Sequence, residues 1–250
     1  MGVTVAVHSS KGGTGKTCIA TNIAALLSYK GYNVCLLDMD LKGPSLSALF
    51  NLYPKRWFND YLDDKCDIEN IFIDLSPQLK TKGRFIIGSS NPDIVAVRKI
   101  FDVNRNWQAK ALKLLLDAKK SIFMNGTDIL ILDTGAGIEF ESVNAIAVAD
   151  LVLSVIIPNK ISYFSTEQIV KGVYMMLEKK CYLIENMSSV YNLSENKEIL
   201  GIPVIVSIPC ICDILSNDCT NPVSLTNPNH IFTQSIKKIC STIEEYMYDK

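Results

Sequence analysis

The sequence has no run of about eighteen uninterrupted apolar residues, the length a helix needs to cross a bilayer, so no membrane span is expected. It also lacks any surplus of charge: 25 Lys and Arg stand against 26 Asp and Glu, a formal net charge of -1. That balance gives no chain-wide basic footprint for nucleic acid or an anionic membrane, although net charge is blind to local clustering. Residues 1–7 carry neither a basic leader nor a cleavage pattern, and the first apolar stretch stops at His8-Ser9-Ser10, too short for a secretory signal. Ala6 stands where a myristoylation motif needs Ser or Thr. The eight cysteines are scattered without secretory context, so reduced thiols and a cytoplasmic location are expected. Histidine is scarce: His8 and His230 have no carboxylate or cysteine at useful spacing, which excludes both as ligands or bases. Repeats, low-complexity tracts and linkers are missing too.

What is present favours a packed α/β fold. Hydrophobic residues make up 48% of the 250, ample for a core. Short β-branched apolar runs at residues 3–7, 34–37, 84–87, 129–132, 151–156, 182–184 and 204–208 alternate with helical patterns. Most of these runs are apolar on both faces, as strands of a parallel sheet covered on both sides must be. Residues 16–30 read as a helix. Trp107, Ala111, Leu114, Leu115, Ala118 and Ile122 form one helical stripe. Ile169, Val173, Met176 and Leu177 form a second, and Phe232, Ile236, Ile239, Ile243 and Met247 a third. Residues 51–83 lack clean periodicity and contain Pro54 and Pro77, so an irregular excursion is expected there. The expected architecture is one domain over residues 1–250, a mostly parallel twisted sheet of seven or eight strands with helices on both faces.

The first strand runs directly into Ser10-Lys11-Gly12-Gly13-Thr14-Gly15-Lys16-Thr17, and a helix follows. Glycine permits positive φ and lets the backbone approach a ligand closely. Successive amides then form a concave nest for phosphate oxygens at the positive end of the helix. Lys16 brings charge to the β- and γ-phosphates, and the Thr17 hydroxyl can ligate Mg²⁺. A glycine-rich turn that merely caps a helix explains less, since strand, loop, Lys-Thr pair and helix are in register. These are the parts of a P-loop NTPase. Ser10 departs from the usual leading glycine, at a cost of about 1 kcal/mol if that position is left-handed.

Two aspartates follow the second strand, in Leu37-Asp38-Met39-Asp40. Ligands of an open parallel sheet bind beyond the carboxyl ends of its strands, so both side chains fall beside the phosphates. Mg²⁺ prefers hard oxygens, and a second carboxylate can orient the attacking water. Capping the next short helix is their other possible use. Asp133 ends the apolar run 129–132, a Walker B arrangement beside the metal, through water.

Lys11 ahead of the double glycine marks the deviant Walker A motif, and here the sequence resembles the ParA/MinD/Mrp superfamily of ATPases. The resemblance covers nearly the whole chain and is weakest at residues 51–83. It implies ATP and Mg²⁺, slow hydrolysis to ADP and phosphate in the absence of a partner, and a homodimer closed by ATP. By this resemblance Lys11, Lys16 and Asp40 are catalytic: Lys11 reaches the nucleotide of the other subunit and Asp40 positions water. Thr17, Asp38 and Asp133 belong to the Mg²⁺ side. Gly12, Gly13, Thr14, Gly15, Lys16, Thr17 and Cys18 contact the nucleotide, as do Asn186, against adenine, and Pro209. Gly137 resembles the switch II glycine that senses the γ-phosphate. A GTPase would show Asn-Lys-x-Asp, whereas Asn159-Lys160-Ile161-Ser162 and Asn196-Lys197-Glu198-Ile199 both lack the aspartate, so ATP is favoured.

Within the superfamily, Asp40-Leu41-Lys42-Gly43-Pro44-Ser45, Glu185-Asn186-Met187-Ser188 and Leu200-Gly201-Ile202-Pro203 with Ser207-Ile208-Pro209 look most like the Mrp branch of iron–sulfur carriers. That branch has Cys-x-x-Cys shortly after Asn-Met-Ser, and residues 188–200 contain no cysteine. A different pair, Cys210 and Cys212 with Cys219 nearby, can face one side of an extended segment. Two such pairs across a two-fold axis would supply four thiolates for zinc or an iron–sulfur cluster. Ordinary packing as small hydrophobes is the alternative, and it is the expectation for Cys18, Cys35, Cys181 and Cys240. Two roles follow: metal-centre assembly with an unknown client, or spatial positioning of the MinD and ParA kind. Against the second, the tail Glu244-Glu245-Tyr246-Met247-Tyr248-Asp249-Lys250 has only Lys237-Lys238 as a basic pair, so no strong signal for membrane or nucleic acid is present.

Overall fold

Alternate residues along the central strands point to opposite faces, and both faces are dry. Val34 and Leu36 join one hydrophobic cluster while Cys35, Leu37 and Met39 join another. Ile129 and Ile131 likewise part from Leu130 and Leu132. Such two-sided burial requires helices above and below the sheet. In the computed structural model, which describes residues 2–189, 197–211 and 221–249, they are there.

The chain begins with β1 (Val3–Ser9), α1 (Lys16–Lys30), β2 (Val34–Met39), α2 (Leu46–Leu49) and α3 (Phe58–Leu62). Next come β3 (Phe72–Asp74), α4 (Ser76–Leu79), β4 (Phe85–Gly88), α5 (Ile94–Phe101) and α6 (Arg105–Met124). The second half holds β5 (Ile129–Ala136), α7 (Phe140–Val148), β6 (Leu151–Ile156), α8 (Lys160–Ile169) and β7 (Lys180–Ser188). It closes with β8 (Glu198–Ile199), β9 (Ile202–Pro209), α9 (Val223–Thr226) and α10 (Ile231–Tyr248). The sheet order is β3-β4-β2-β5-β1-β6-β7-β9-β8. All seven expected strands are present and parallel to their strand neighbours among themselves. Among the described residues the sheet has nine strands because β3 and β8, of three and two residues, add antiparallel edges. Runs that short carry too little periodicity to be read from sequence.

Helices α1 and α10 cover one face, and α6 and α7 cover the other. The α6 stripe buries Ala111, Leu115, Ala118 and Ile122 as expected. Of the stripe at Ile169, Val173, Met176 and Leu177, Ile169 is buried and Val173 and Leu177 pack against the core, whereas Met176 is 75% exposed. One turn of π-helix, Val170–Tyr174, follows α8, and Tyr174 at its end is buried as well. Residues 51–83 consist of short pieces, and Phe58, Tyr61, Leu62, Ile68 and Ile71 of that stretch pack into the α6 side of the core. Among the described residues no helix is long and apolar enough to cross a membrane.

Leu36 is fully buried at the centre of the sheet, whereas Ile94 on α5 is 60% exposed. Leu36→Ala should therefore cost about 2–5 kcal/mol, and Ile94→Ala no more than about 0.5 kcal/mol. Urea unfolding of the two variants checks the contrast.

Candidate functional site

Strand β5 lies between β1 and β2, and this insertion assembles the site. The parallel register sets Val7 opposite Asp133 and Asp38 opposite Asp133. Two aspartates thus stand side by side at the carboxyl ends of adjacent strands, next to the loop that leaves β1. Asp133 is fully buried, and burial lifts its carboxyl to about 7 against the opposing Thr17 hydrogen bond and Lys16 charge. Its Oδ1 has no hydrogen-bond partner among the described residues. Asp38 is raised well above the usual carboxylate range, first by burial and then by the charge of Asp133.

The loop between β1 and α1 needs its glycines. Gly13 and Gly15 have φ of +74° and +90°, in the left-handed region. A Cβ on Gly15 would also lie 2.4 Å from Asn186 Nδ2. Lys16, only 8% exposed, donates from Nζ to Ser9 Oγ at 3.0 Å. Burial lowers its pKa, and the carboxylates of Asp133 and Asp40 partly restore it. Asp40 therefore belongs to the same charge cluster. Its Oδ1 accepts the Gly43 amide at 2.8 Å, closing a turn. Asp38 does more local work than the sequence suggested: Oδ1 accepts the Asp40 amide, and Oδ2 those of Ser45 and Leu46 at the start of α2. The capping alternative thus describes Asp38.

Gly137 follows β5 with φ of +78°. Its amide donates to Ser9 O at 2.9 Å, and its carbonyl accepts His8 Nε2 at 2.8 Å. Since Nε2 carries the proton, Nδ1 accepts the Tyr174 hydroxyl at 2.5 Å. The residue set aside as having no ligand or base partner is thus the buried link between β1, the Gly137 segment and the π-helical turn. Sequence offered no signal for it, because its partners lie 129 and 166 positions away.

Asn186 Nδ2 donates to Thr14 O at 2.8 Å, fastening β7 to the phosphate loop. Gly15, Cys18, Asn186, Pro209 and Cys210 line one cavity beside it. Glu185, buried next to Asn186, accepts Tyr163 Oη at 2.9 Å, Ser207 Oγ at 2.5 Å and Lys197 Nζ at 2.7 and 2.8 Å. Burial alone would raise its pKa, but the bonds from Lys197, Ser207 and Tyr163 hold it below the usual carboxylate range. The sequence reading quoted Glu185 within a motif without giving it this task. Lys11 is exposed, as are Gly12 and Gly13, while Thr14 is buried. Cys35 and Cys240 are buried and Cys18 and Cys181 half-buried. Cys210 is exposed, Cys212 and Cys219 lie outside the described residues, and no group of three or more His, Cys, Asp or Glu able to hold a metal occurs among those described.

A strand, a left-handed glycine loop and a helix, with Lys16 and Asp133 converging, define a P-loop nucleotide-binding fold. A model of the ParA family, described as NUBPL iron-transfer P-loop NTPase, matches residues 1–66. The antiactivator FleN of Pseudomonas aeruginosa is 28% identical over 152 residues, 61% of this chain and 49% of that protein. An iron–sulfur cluster carrier protein of Methanococcus maripaludis is 27% identical over 190 residues, 73% of this chain and 59% of the carrier. The matches thus span 49% and 59% of these relatives' length. The structure of the septum site-determining protein MinD with Mg-ADP from Pyrococcus horikoshii superimposes with a TM-score of 0.78 at 20% identity, covering 98% and 97% of the two chains. The chain is thus similar to proteins of the ParA/MinD/Mrp superfamily, and its matched relatives include an iron–sulfur cluster carrier and septum site-determining proteins.

Burial, which outweighs the Gly137 hydrogen bond, lowers the His8 pKa from 6.5 to about 4, with the Lys16 charge adding a little. The unfolded chain takes up this proton near 6.5 and the folded chain only near 4. Stability therefore falls as pH drops through that window, by about 3 kcal/mol from this residue. His8→Gln, which keeps a donor, should lose less stability than the native chain between neutral pH and pH 4 by that order, measured by urea unfolding.

Proposed function

We propose that this chain binds Mg-ATP and hydrolyses it in the cytoplasm, and that ATP closes two copies into a homodimer across the phosphate loop. The observation that carries this reading is the meeting of buried Lys16 and Asp133 with half-buried Thr17 and Asp40 at the ends of β1, β2 and β5, with one Asp133 oxygen unsatisfied. The donor set fits Mg²⁺: the Thr17 hydroxyl and the Asp133 carboxylate are hard oxygens, with Asp38 behind them. Mg²⁺ held there neutralises charge on the β- and γ-phosphates.

In this reading the amides of residues 12–17 hold the phosphates, and Lys16 exchanges Ser9 for phosphate oxygens. Asp40, with Oδ1 held by the Gly43 amide, orients the attacking water through its other oxygen. The Gly137 amide turns from Ser9 O toward the γ-phosphate. Lys11, exposed on the outer loop, reaches the nucleotide of the second subunit. The cavity between Asn186 and Pro209 takes the adenine, with Cys18 at its wall.

The role that fits best is assembly of an iron–sulfur cluster or another metal centre, delivered to a client protein. Three Mrp-like segments support it, as does the match of residues 1–66 to a family described by iron transfer. Cys210 is exposed and Cys212 follows two positions on, so the ligands would be four thiolates from two subunits. Positioning of the MinD or ParA kind uses the same dimer switch and is supported by the relatives of that branch. It needs a surface to bind.

Lys16→Ala should abolish Mg-ATP binding in calorimetry. Asp40→Ala should bind ATP, hydrolyse it at least about a hundredfold more slowly, and remain a dimer by light scattering. Native turnover in Asp40→Ala would assign the water to another group. Anaerobic reconstitution with iron and sulfide should yield a chromophore that Cys210→Ser/Cys212→Ser loses. A colourless native protein that instead sediments with anionic vesicles or DNA only in ATP would favour positioning.

A further inference from the structure

Lys42 lies in the turn that Asp40 closes, two residues beyond that carboxylate. Its ammonium reaches away from the turn to the start of α7. There it pairs with Glu139, the residue that caps α7, and stands 3.9 Å from Glu141 Oε1 in the first helical turn. Two rings flank it, Phe101 of α5 at 5.1 Å and Phe140 of α7 at 6.0 Å from the ring centres. The side chain is only 21% exposed.

Glu141 makes this more than a surface pair. Its side chain is 2% exposed, and Oε2 has no hydrogen-bond partner among the described residues. A carboxylate so placed is costly unless a cation stands near it, and Lys42 is the cation that meets it. Glu139 and Glu141 follow Gly137 by two and four residues. Phe140 in turn sits edge-on against Trp107 of α6, with centroids 5.8 Å apart at 90°.

We infer that Lys42 is a positioning residue for hydrolysis: it ties the turn bearing Asp40 to the segment bearing Gly137, so that the two move as one. The Asp40–Gly43 hydrogen bond makes the turn a closed unit. Gly135 braces its other side, where a Cβ would lie 3.3 Å from Asp40 Oδ1. A shift of Gly137 therefore reaches Asp40 through Glu139, Glu141 and Lys42. The same shift reaches α6 through Phe140 and Trp107. The inference rests on the ATPase reading above.

The test measures Mg-ATP affinity and turnover on the full chain and on variants. Lys42→Met should lower kcat about tenfold while the dissociation constant for Mg-ATP stays within about threefold, a split that general loss of structure would not produce. Lys42→Arg should recover most of the rate. Glu139→Gln/Glu141→Gln should reproduce Lys42→Met, and adding Lys42→Met to that pair should cost no more, since all three act through one contact. With Trp57 replaced by Phe, Trp107 is the remaining indole. Its emission should change between Mg-ADP and a non-hydrolysable Mg-ATP analogue, and the change should vanish with Lys42→Met. A Lys42→Met protein with native kcat and a native Trp107 response overturns the inference while leaving the ATPase reading standing. A native chain that neither binds nor hydrolyses ATP overturns both.

Discussion

An ammonium group taken out of water at the end of a β-strand needs compensation within a few ångströms, or it loses its proton. Lys16 is in that position. Its compensation comes from the Ser9 hydroxyl and from the carboxylates of Asp133 and Asp40. Asp133 would not be within reach if the strands ran in sequence order. The insertion of β5 between β1 and β2 brings Asp133 beside Val7 and Asp38. Much of the remaining geometry follows. Burial, then the charge of Asp133, pushes Asp38 toward its neutral form, and burial with the charge of Asp40 does the same to Asp133. Asp38 is stabilised by three backbone amides, which close the chain that leads into α2. The glycine loop must then curl tightly over Lys16, with Asn186 holding it down at Thr14.

The seven parallel strands were legible because each is buried on both faces, and a parallel sheet leaves that trace in composition. Their spatial order was not. It is fixed by crossovers whose helices look alike in sequence. The phosphate loop was legible for the opposite reason: its chemistry is local, with glycines, lysine and threonine at fixed offsets. His8 shows where such reading stops. It was judged by its neighbours in sequence, whereas its partners are Gly137 and Tyr174. The stripe after α8 is a partial case: Ile169, Val173 and Leu177 face the core, but Met176 does not. Tyr174, at the end of the π turn, is the buried residue that the stripe passes over, and its hydroxyl meets His8.

The segments that make the chain look like an iron–sulfur carrier also have plain structural tasks. Glu185 of Glu-Asn-Met-Ser ties β7 to Ser207 on β9, to Tyr163 on α8 and to Lys197 ahead of β8. Asn186 beside it braces the phosphate loop. In Asp40-Leu41-Lys42-Gly43-Pro44-Ser45, the Gly43 amide closes the turn on Asp40 and the Ser45 amide is held by Asp38. Each contact concerns how strands are held around the phosphate loop, whichever cargo or surface the chain serves. These motifs are therefore better witnesses to the nucleotide machinery than to the cargo.

The question of role then narrows to chemistry the nucleotide site does not use. A cluster needs soft sulfur ligands, and none of the carboxylates at the phosphate end can supply them. The thiols of the core are no better placed: Cys35 and Cys240 are buried, and burial pushes both well above the usual thiol range, where the thiolate that binds metal is scarce. Cys210 differs from both. It is exposed, follows directly on β9, and its amide is held by Ser188 O, which joins it to the strand that carries Asn186. Because it also lines the cavity beside Gly15 and Asn186, whatever fills that cavity bears on the thiol. If this chain handles both a nucleotide and a metal, the two would be coupled through the end of β9, without need of the Cys-x-x-Cys that the carriers place after β7.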